Sequence, residues 1–269
     1  MKHTFKNLLG LTLGVCLLVG ITSCEALAKM AEDDGPILTE TRQVGSFTKL
    51  RVSSFLDVYV TQGSAISVEV KASESLMEDI TTEVKNGTLV IDYDKNTWNM
   101  GNVTAKVYVT VTELSSIDAS GSSDVVIESD ITAGDFEIEA SGSSDVVCKN
   151  HLLKVNDLVL HSSGASDIVI NDLLARDIKA DASGSSDIEV GGEATSVDVE
   201  TDGSSDFTGK NLQVAHCVAH SSGSSDILIR VSDTFEGKAS GASDITYYGS
   251  PTVHGASTSG SADINQRSE

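Results

Sequence analysis

Eight aspartates recur at near-regular intervals through the second half of this 269-residue chain: Asp124, Asp145, Asp167, Asp187, Asp206, Asp226, Asp244 and Asp263. Their separations are 21, 22, 20, 19, 20, 18 and 19 residues. Each closes a five-residue phrase, Ser-Gly-Ser-Ser-Asp or a near variant, from Ser120–Asp124 to Ser259–Asp263. Carboxylates in such a series have two main uses. They can cap the turn that holds them by accepting a backbone amide hydrogen bond, as Asx turns do. With serine hydroxyls and carbonyls beside them, they can also offer oxygen ligands to a hard cation such as Ca²⁺. Turn capping is the expected use, no cofactor is expected, and Ca²⁺ is the one cation the residues could take.

A second series stands three residues before each phrase glycine: Asp118, Glu139, His161, Asp181, Glu200, His220, Lys238 and Ser257. Paired carboxylates on a flat face are the equipment of polysaccharide cleavage, one acting as acid and the other as base or nucleophile. A repeating fold stacks equivalent residues without any selection for catalysis, however, and no unique acid or base interrupts this series. His161 and His220 fall three repeats apart, too far to share one metal, and His151, His216 and His254 follow no ligand spacing. The serines form no Gly-x-Ser-x-Gly elbow. The sole tryptophan, Trp98, lies in a polar segment between strands, where it either covers the flank of the first coils or stacks on a sugar ring. No catalytic residue is expected.

The elements that carry these columns read as strands. After each aspartate comes a large apolar residue: Val125, Val146, Ile168, Ile188, Phe207, Ile227, Ile245 or Ile264. Two positions on, the residue is again mostly apolar, which is the period-2 signature of a half-buried strand. Four residues before each glycine stand Ile117, Ile138, Leu160, Ala180, Val199, Ala219, Gly237 and Ala256. Two firm strands and a looser third per repeat of about 20 residues describe one coil of a parallel β-helix. The glycine lets the chain turn the corner at positive φ. The serine before each aspartate has inward parity, and the aspartate has outward parity. Upstream, Leu50–Val52, Leu56–Val60, Ile66–Val70 and Thr104–Thr112 alternate as strands, and Asn86-Gly87 marks a tight turn. Glu74–Val84 is the one stretch with helical character.

Composition agrees with a narrow core. Only 4% of residues are aromatic, two are proline and 39% are hydrophobic, which suits stacked layers better than a wide globule. The formal charge is −22, so nucleic acid and anionic membrane surfaces are excluded as expected partners. Lys2 and Lys6 precede an apolar run, Leu8–Gly20, too short for a spanning helix and ending in Ile21-Thr22-Ser23-Cys24. This resembles a lipoprotein signal, with residues 1–23 removed and Cys24 lipidated. Residues 24–44 read as an acidic flexible tether. Cys148 and Cys217, placed four coils and roughly 19 Å apart by strand spacing, cannot bridge and are expected as buried free thiols.

The strand pattern from Phe47 to Val60, the Asn86–Ile91 turn and strand, and the Ile-x-Ala-Ser-Gly phrase at Ile117–Gly121 lead into the repeats. Together they resemble the auto-transporter adhesin "head GIN" domain family, common in Bacteroidetes, over about residues 45–265. The resemblance implies a single-stranded right-handed parallel β-helix and an adhesion role at the cell envelope, and it hands over no catalytic residues. The expected organisation is one all-β solenoid over 45–269, irregular over 45–116 and regular over 117–265. The expected function is an exported, non-catalytic adhesin or structural solenoid, held by lipid at the outer membrane on its periplasmic or outer side. Glycan or extracellular protein would be its partner. The alternatives are a polysaccharide lyase or hydrolase, and a weak Ca²⁺-binding module.

Overall fold

The computed structural model describes residues 35–95 and 104–268. The leader 1–23, the acidic residues 32–34, Cys24 and Trp98 lie outside them. The fold is all-β, 72% strand against 2% helix, with parallel coils about 20 residues apart stacked into a solenoid of about eight turns. In chain order the first elements are β1 (Ile37–Arg42), β2 (Lys49–Val52), β3 (Asp57–Gln62), β4 (Ser67–Ser73), α1 (Glu74–Met77), β5 (Ile80–Lys85), β6 (Thr88–Tyr93) and β7 (Ala105–Val111). The coils continue with β8 (Ser116–Ala119), β9 (Val125–Ile127), β10 (Ile131–Thr132), β11 (Phe136–Gly142), β12 (Val146–Lys154) and β13 (Asp157–Gly164). They end with β14 (Asp167–Gly184), β15 (Asp187–Gly203), β16 (Asp206–Gly223), β17 (Asp226–Gly241), β18 (Asp244–Tyr248), β19 (Thr252–Gly260) and β20 (Asp263–Arg267).

From β8 onward each coil lies parallel and in register on the one before. Between β14 and β15 the pairing runs through three segments, from Asp167↔Asp187, Leu173↔Gly192 and Asp177↔Ser196, with register breaks only at the bends. Inward residues therefore stack on their own kind. Ile168, Ile188, Phe207, Ile227 and Ile245 form one buried column, and Phe136, Leu158, Ile178, Val197, Cys217 and Phe235 form another. Burying such a side chain stabilises by roughly 1.5–3 kcal/mol, so these columns are the main attractive term holding coil to coil. Gly209 and Gly237, which interrupt the apolar columns in sequence, follow two residues after Phe207 and Phe235. A Cβ on Gly209 would lie 2.8 Å from the Phe207 ring, and one on Gly237 would lie 2.7 Å from the Phe235 ring. Each large ring occupies the volume that the next inward residue gives up.

The solenoid does not begin with its first coil in sequence. β2 lies between β6 and β8, and β3 lies between β7 and β9, all parallel. β6 and β7 thus form a rung above the coil that precedes them in the chain. Beyond that rung the direction reverses: β5 pairs antiparallel with β6, β4 with β7, and β1 with β4. Leu76 and Met77 of α1 are buried at this end. The outermost strands carry ion pairs, Glu40–Arg42 at 3.2 Å and Glu83–Lys85 at 2.6 Å, and charge on an edge strand discourages further pairing.

Three sequence expectations change here. The tether expected over 24–44 is shorter, because Ile37–Arg42 adds to the otherwise open edge of β4 and Leu38 packs against the core. The helical character of Glu74–Val84 survives only over Glu74–Met77, since Ile80–Lys85 pairs with β6 across the Asn86-Gly87 turn. The repeat also has an earlier copy, Ser53-Ser54-Phe55-Leu56-Asp57. Ser54 takes the glycine's place at φ 78°, and fully buried Leu56 takes the place of the inward serine.

At the regular corners the glycine is required twice over. Gly184 has φ +88°, and a Cβ there would lie 2.8 Å from the carbonyl oxygen of Gly164 in the coil beneath. Gly184→Ala is expected to cost about 1–3 kcal/mol through backbone strain and coil separation. Gly134→Ala, with nothing within 4 Å of its added Cβ, should leave the thermal midpoint unchanged. Parallel melts of the two variants followed by far-UV circular dichroism check the difference.

Candidate functional site

The corner is built from four repeated atoms. The carbonyl of each phrase glycine accepts the N–H of the residue after the next glycine, as in Ser204 N–H to Gly184 O at 2.8 Å. Two groups at the corner are bonded by side chains of the phrase. The first is the carbonyl oxygen inside the coil, which the inward serine reaches. The single hydroxyl proton of Ser186 is shared between Ser183 O in its own turn, 3.0 Å away, and Ser162 O, 2.9 Å away, and Ser205 and Ser243 repeat the pattern. These serines are completely buried, as their parity requires. A hydroxyl is tolerated there because its proton has carbonyl partners within reach.

The second group is the N–H of the aspartate itself. It is bonded by the carboxylate of the aspartate one coil earlier: Asp145 to Asp124, Asp167 to Asp145, and so on to Asp263 on Asp244, at 2.9–3.3 Å. The capping role expected for this column therefore takes a different form. The bond runs between coils and not within the turn, because the stacked aspartate N–H lies directly over the carboxylate.

This ladder sets attraction against repulsion. Unit charges about 4.8 Å apart repel by about 0.9 kcal/mol in water. A hydrogen bond to a charged acceptor contributes about 1.5–3 kcal/mol, so each rung remains favourable. The strain shows in the titration of two members. Burial pushes the Asp145 and Asp187 carboxyls above the usual range, and the N–H groups they accept pull the other way. Their flanking aspartates push up again, Asp124 and Asp167 on Asp145, Asp206 and Asp167 on Asp187.

The second column is also in register, Asp118↔Glu139↔His161↔Asp181↔Glu200↔His220↔Lys238↔Ser257. Asp181 and Glu200 separate the two histidines, and His161 pairs with Asp181 at 3.1 Å. The same strand face carries a groove of about 490 Å³, where Asp157, Asp177, Ser196 and His216 line one edge. In this groove Asp157 and Asp177 lie on adjacent rungs, and Arg176 bridges them at 2.5 and 2.8 Å. Hydrogen bonds from Ser196 and Arg176 hold Asp177 below the usual carboxylate range, opposite to what a general acid needs. Cys148 and Cys217 are buried and free, on different strands of the coil and not in one column. Burial pushes their thiols up to about 11 and about 12, far from nucleophilic thiolates. Among the described residues, no group of three or more His, Cys, Asp and Glu is placed to hold a metal ion.

Sequence reasoning missed one column because it looked mixed. Two residues beyond the aspartates, on the same outer face, Tyr108, Tyr59, Val126, Val147 and Val169 pair in succession. All five are partly exposed, and the column turns polar at Glu189. Tyr59 and Tyr108 stack at 5.0 Å, and Lys106 Nζ donates to Tyr59 Oη at 2.9 Å. The signal was present as an apolar or aromatic residue two positions beyond Asp57, Asp124, Asp145 and Asp167. The polar residues at the same position in later coils hid it.

The family model described as "Putative auto-transporter adhesin, head GIN domain" matches residues 46–152 and again 138–251. A search of curated proteins gives no match. Among solved structures, a putative adhesin from Parabacteroides distasonis superposes with a TM-score of 0.81 at 22% identity, covering 87% of this chain and 98% of that one. A putative adhesin from Parabacteroides merdae gives 0.79 at 18% identity, with 87% and 97% covered. A putative lipid binding protein from P. distasonis gives 0.77 at 22% identity, with 87% and 97% covered. At these identities the likeness is one of fold.

The aspartate ladder predicts how stability responds to charge. Asp187→Ala orphans the Asp206 N–H and should cost about 1 kcal/mol, whereas Asp187→Asn keeps an acceptor and removes repulsion. Asp187→Asn should therefore melt no lower than wild type at neutral pH and low salt, and added NaCl should raise the wild-type midpoint. The pH dependence has a definite sign. Asp145 and Asp187 titrate higher in the fold than in the unfolded chain. Their contribution is fully present below the unfolded pKa and is lost as pH rises through the folded value. Asp177, held low, works in the opposite sense and loses its contribution as pH falls. Replacing Asp145 and Asp187 together by Asn should flatten the rise in midpoint on mild acidification. Calorimetric scans from neutral pH towards the carboxylate range check this.

Proposed function

We propose, on the premise that this chain belongs to the putative auto-transporter adhesin, head GIN domain family, that it is a non-catalytic interaction solenoid of the cell envelope. In this reading it hangs from the outer membrane by a lipid on Cys24 and binds glycan or protein partners along its outer strand faces. One observation carries the proposal: outward aspartates repeat in register from coil to coil, as in Asp167↔Asp187 and Asp187↔Asp206. A surface of this kind offers the same contact many times along a line, which suits multivalent attachment. A reaction centre needs the opposite, one unique acid, base or nucleophile set apart from its copies.

In this reading membrane attachment is through the lipid, and no helix among the described residues is long and apolar enough to cross a bilayer. The basic start, the apolar run and the Ile21-Thr22-Ser23-Cys24 ending support the same assignment. The acidic chain, at −22, also favours partners that are neutral or basic.

Two measurements test the reading. The full chain in mild detergent, applied to an array of glycans and extracellular-matrix proteins with and without calcium, should bind a restricted set of ligands independently of calcium. Binding to none of them would remove the adhesive reading, and a calcium-dependent rise in melting temperature would favour the cation-binding alternative. In cells, Cys24→Ala should abolish incorporation of labelled fatty acid and deplete the protein from the membrane fraction. Unchanged labelling would rule out Cys24 as the attachment point.

A further inference from the structure

The outward stripe Tyr108-Tyr59-Val126-Val147-Val169 is partly exposed along its whole length, with its two tyrosines stacked on each other and Lys106 bonded to Tyr59. Four steps of strand spacing give it a length of about 19 Å. It is flat, because its residues sit on successive parallel strands in register. A partly exposed line of β-branched and aromatic side chains on an outward strand face is unusual, since such positions are ordinarily polar. Its setting is asymmetric. Along one side run Asp124, Asp145 and Asp167, two residues before each valine on the same face. Burial raises the Asp145 carboxyl, and the charges of Asp124 and Asp167 raise it further, so a cation brought over this edge would relieve the repulsion among the three carboxylates.

We infer that this stripe docks a cationic amphipathic helix of another protein, its apolar side chains on the valines and its lysines or arginines over Asp124, Asp145 and Asp167. The inference rests on the interaction reading above and narrows its partner class from glycan or protein to a basic polypeptide. The dimensions agree: about 13 helical residues span the stripe, and a helical turn of about 5.4 Å lies close to the rung spacing of about 4.8 Å. Residues at i, i+3 or i+4, and i+7 therefore meet successive rungs. A second copy of this chain fits poorly, because it would bring two acidic ladders together across a surface already carrying −22. A sugar fits poorly too. The aliphatic floor offers it no hydrogen bonds, and the two tyrosine rings are stacked on each other at 5.0 Å.

The test uses the full chain held in phosphatidylcholine nanodiscs, with empty nanodiscs as the blank. The probe is a fluorescent 14-residue Leu/Lys peptide of amphipathic helical pattern. A scrambled peptide of the same composition is the control. The triple variant V126T/V147T/V169T keeps β-branched shape and should weaken peptide binding about tenfold or more at every salt concentration. The triple variant D124N/D145N/D167N keeps the acceptors of the ladder and should weaken binding mainly at low salt, flattening the salt dependence. L228T, on the same column but far down the stack, should bind as wild type does. Should the triple valine variant not fold, V147T alone should weaken binding about threefold.

Equal binding of scrambled and designed peptides, or unchanged binding by the valine variants, would overturn the inference. If neither wild type nor the triple valine variant binds peptide, and the variant is held less well on phosphatidylcholine vesicles, the stripe belongs to lipid and the inference fails. Array ligands that bind the triple valine variant undiminished would overturn this surface and leave the adhesive reading standing. An empty array with intact peptide binding would do the reverse.

Discussion

In a stack of parallel coils, each corner takes the backbone out of the plane in which neighbouring strands bond. N–H and C=O groups at the corner then lose their natural partners. An orphaned amide costs about 1–3 kcal/mol, and the cost recurs at every coil, so a solenoid must solve it with the same residues each time. This chain solves it with three. The glycine permits the bend and lets one carbonyl ladder continue, the buried serine hydroxyl supplies the inner carbonyls, and the aspartate carboxylate reaches across to the next coil's amide. Hydrophobic columns supply most of the attraction between coils, but the corner chemistry decides that they stack in this register and no other.

That constraint explains what could be read in the sequence. The phrase repeats because its parts depend on one another, so its period, its strands and the inward parity of its serines were legible from spacing alone. What the sequence concealed were solutions that used different residues. The corner at Ser53–Asp57 keeps the opening serine and the closing aspartate but lacks both glycine and inward serine, so it does not read as the recurring phrase. Its place becomes visible only when Leu50 is seen to pair with Ile117 and Val58 with Val125. The direction of the aspartate bond was hidden for a simpler reason. An Asx turn and an inter-coil bond require the same residue at the same position, and only the stacking geometry separates them.

The N-terminal end shows the same logic from the other side. There the chain abandons repetition, inserts a rung out of sequence order and closes it with antiparallel strands. No periodic signal could have given that arrangement, because each strand in it is specified by its partner and not by a copy of itself. The glycines at 209 and 237 are a smaller example. They break the apolar pattern as residues, yet they complete it as volumes, since Phe207 and Phe235 fill the space they leave.

The rise of the coil has a last consequence. Each turn consumes about 20 residues to advance about 4.8 Å, whereas an extended chain advances roughly 3.3 Å with every residue. Lengthening such a body is therefore an extravagant way to gain reach. What the same residues yield is breadth, a plank of fixed width whose decoration can be altered one outward position at a time. Selection acting on a molecule of this build would tune its pattern of side chains far more readily than its stature.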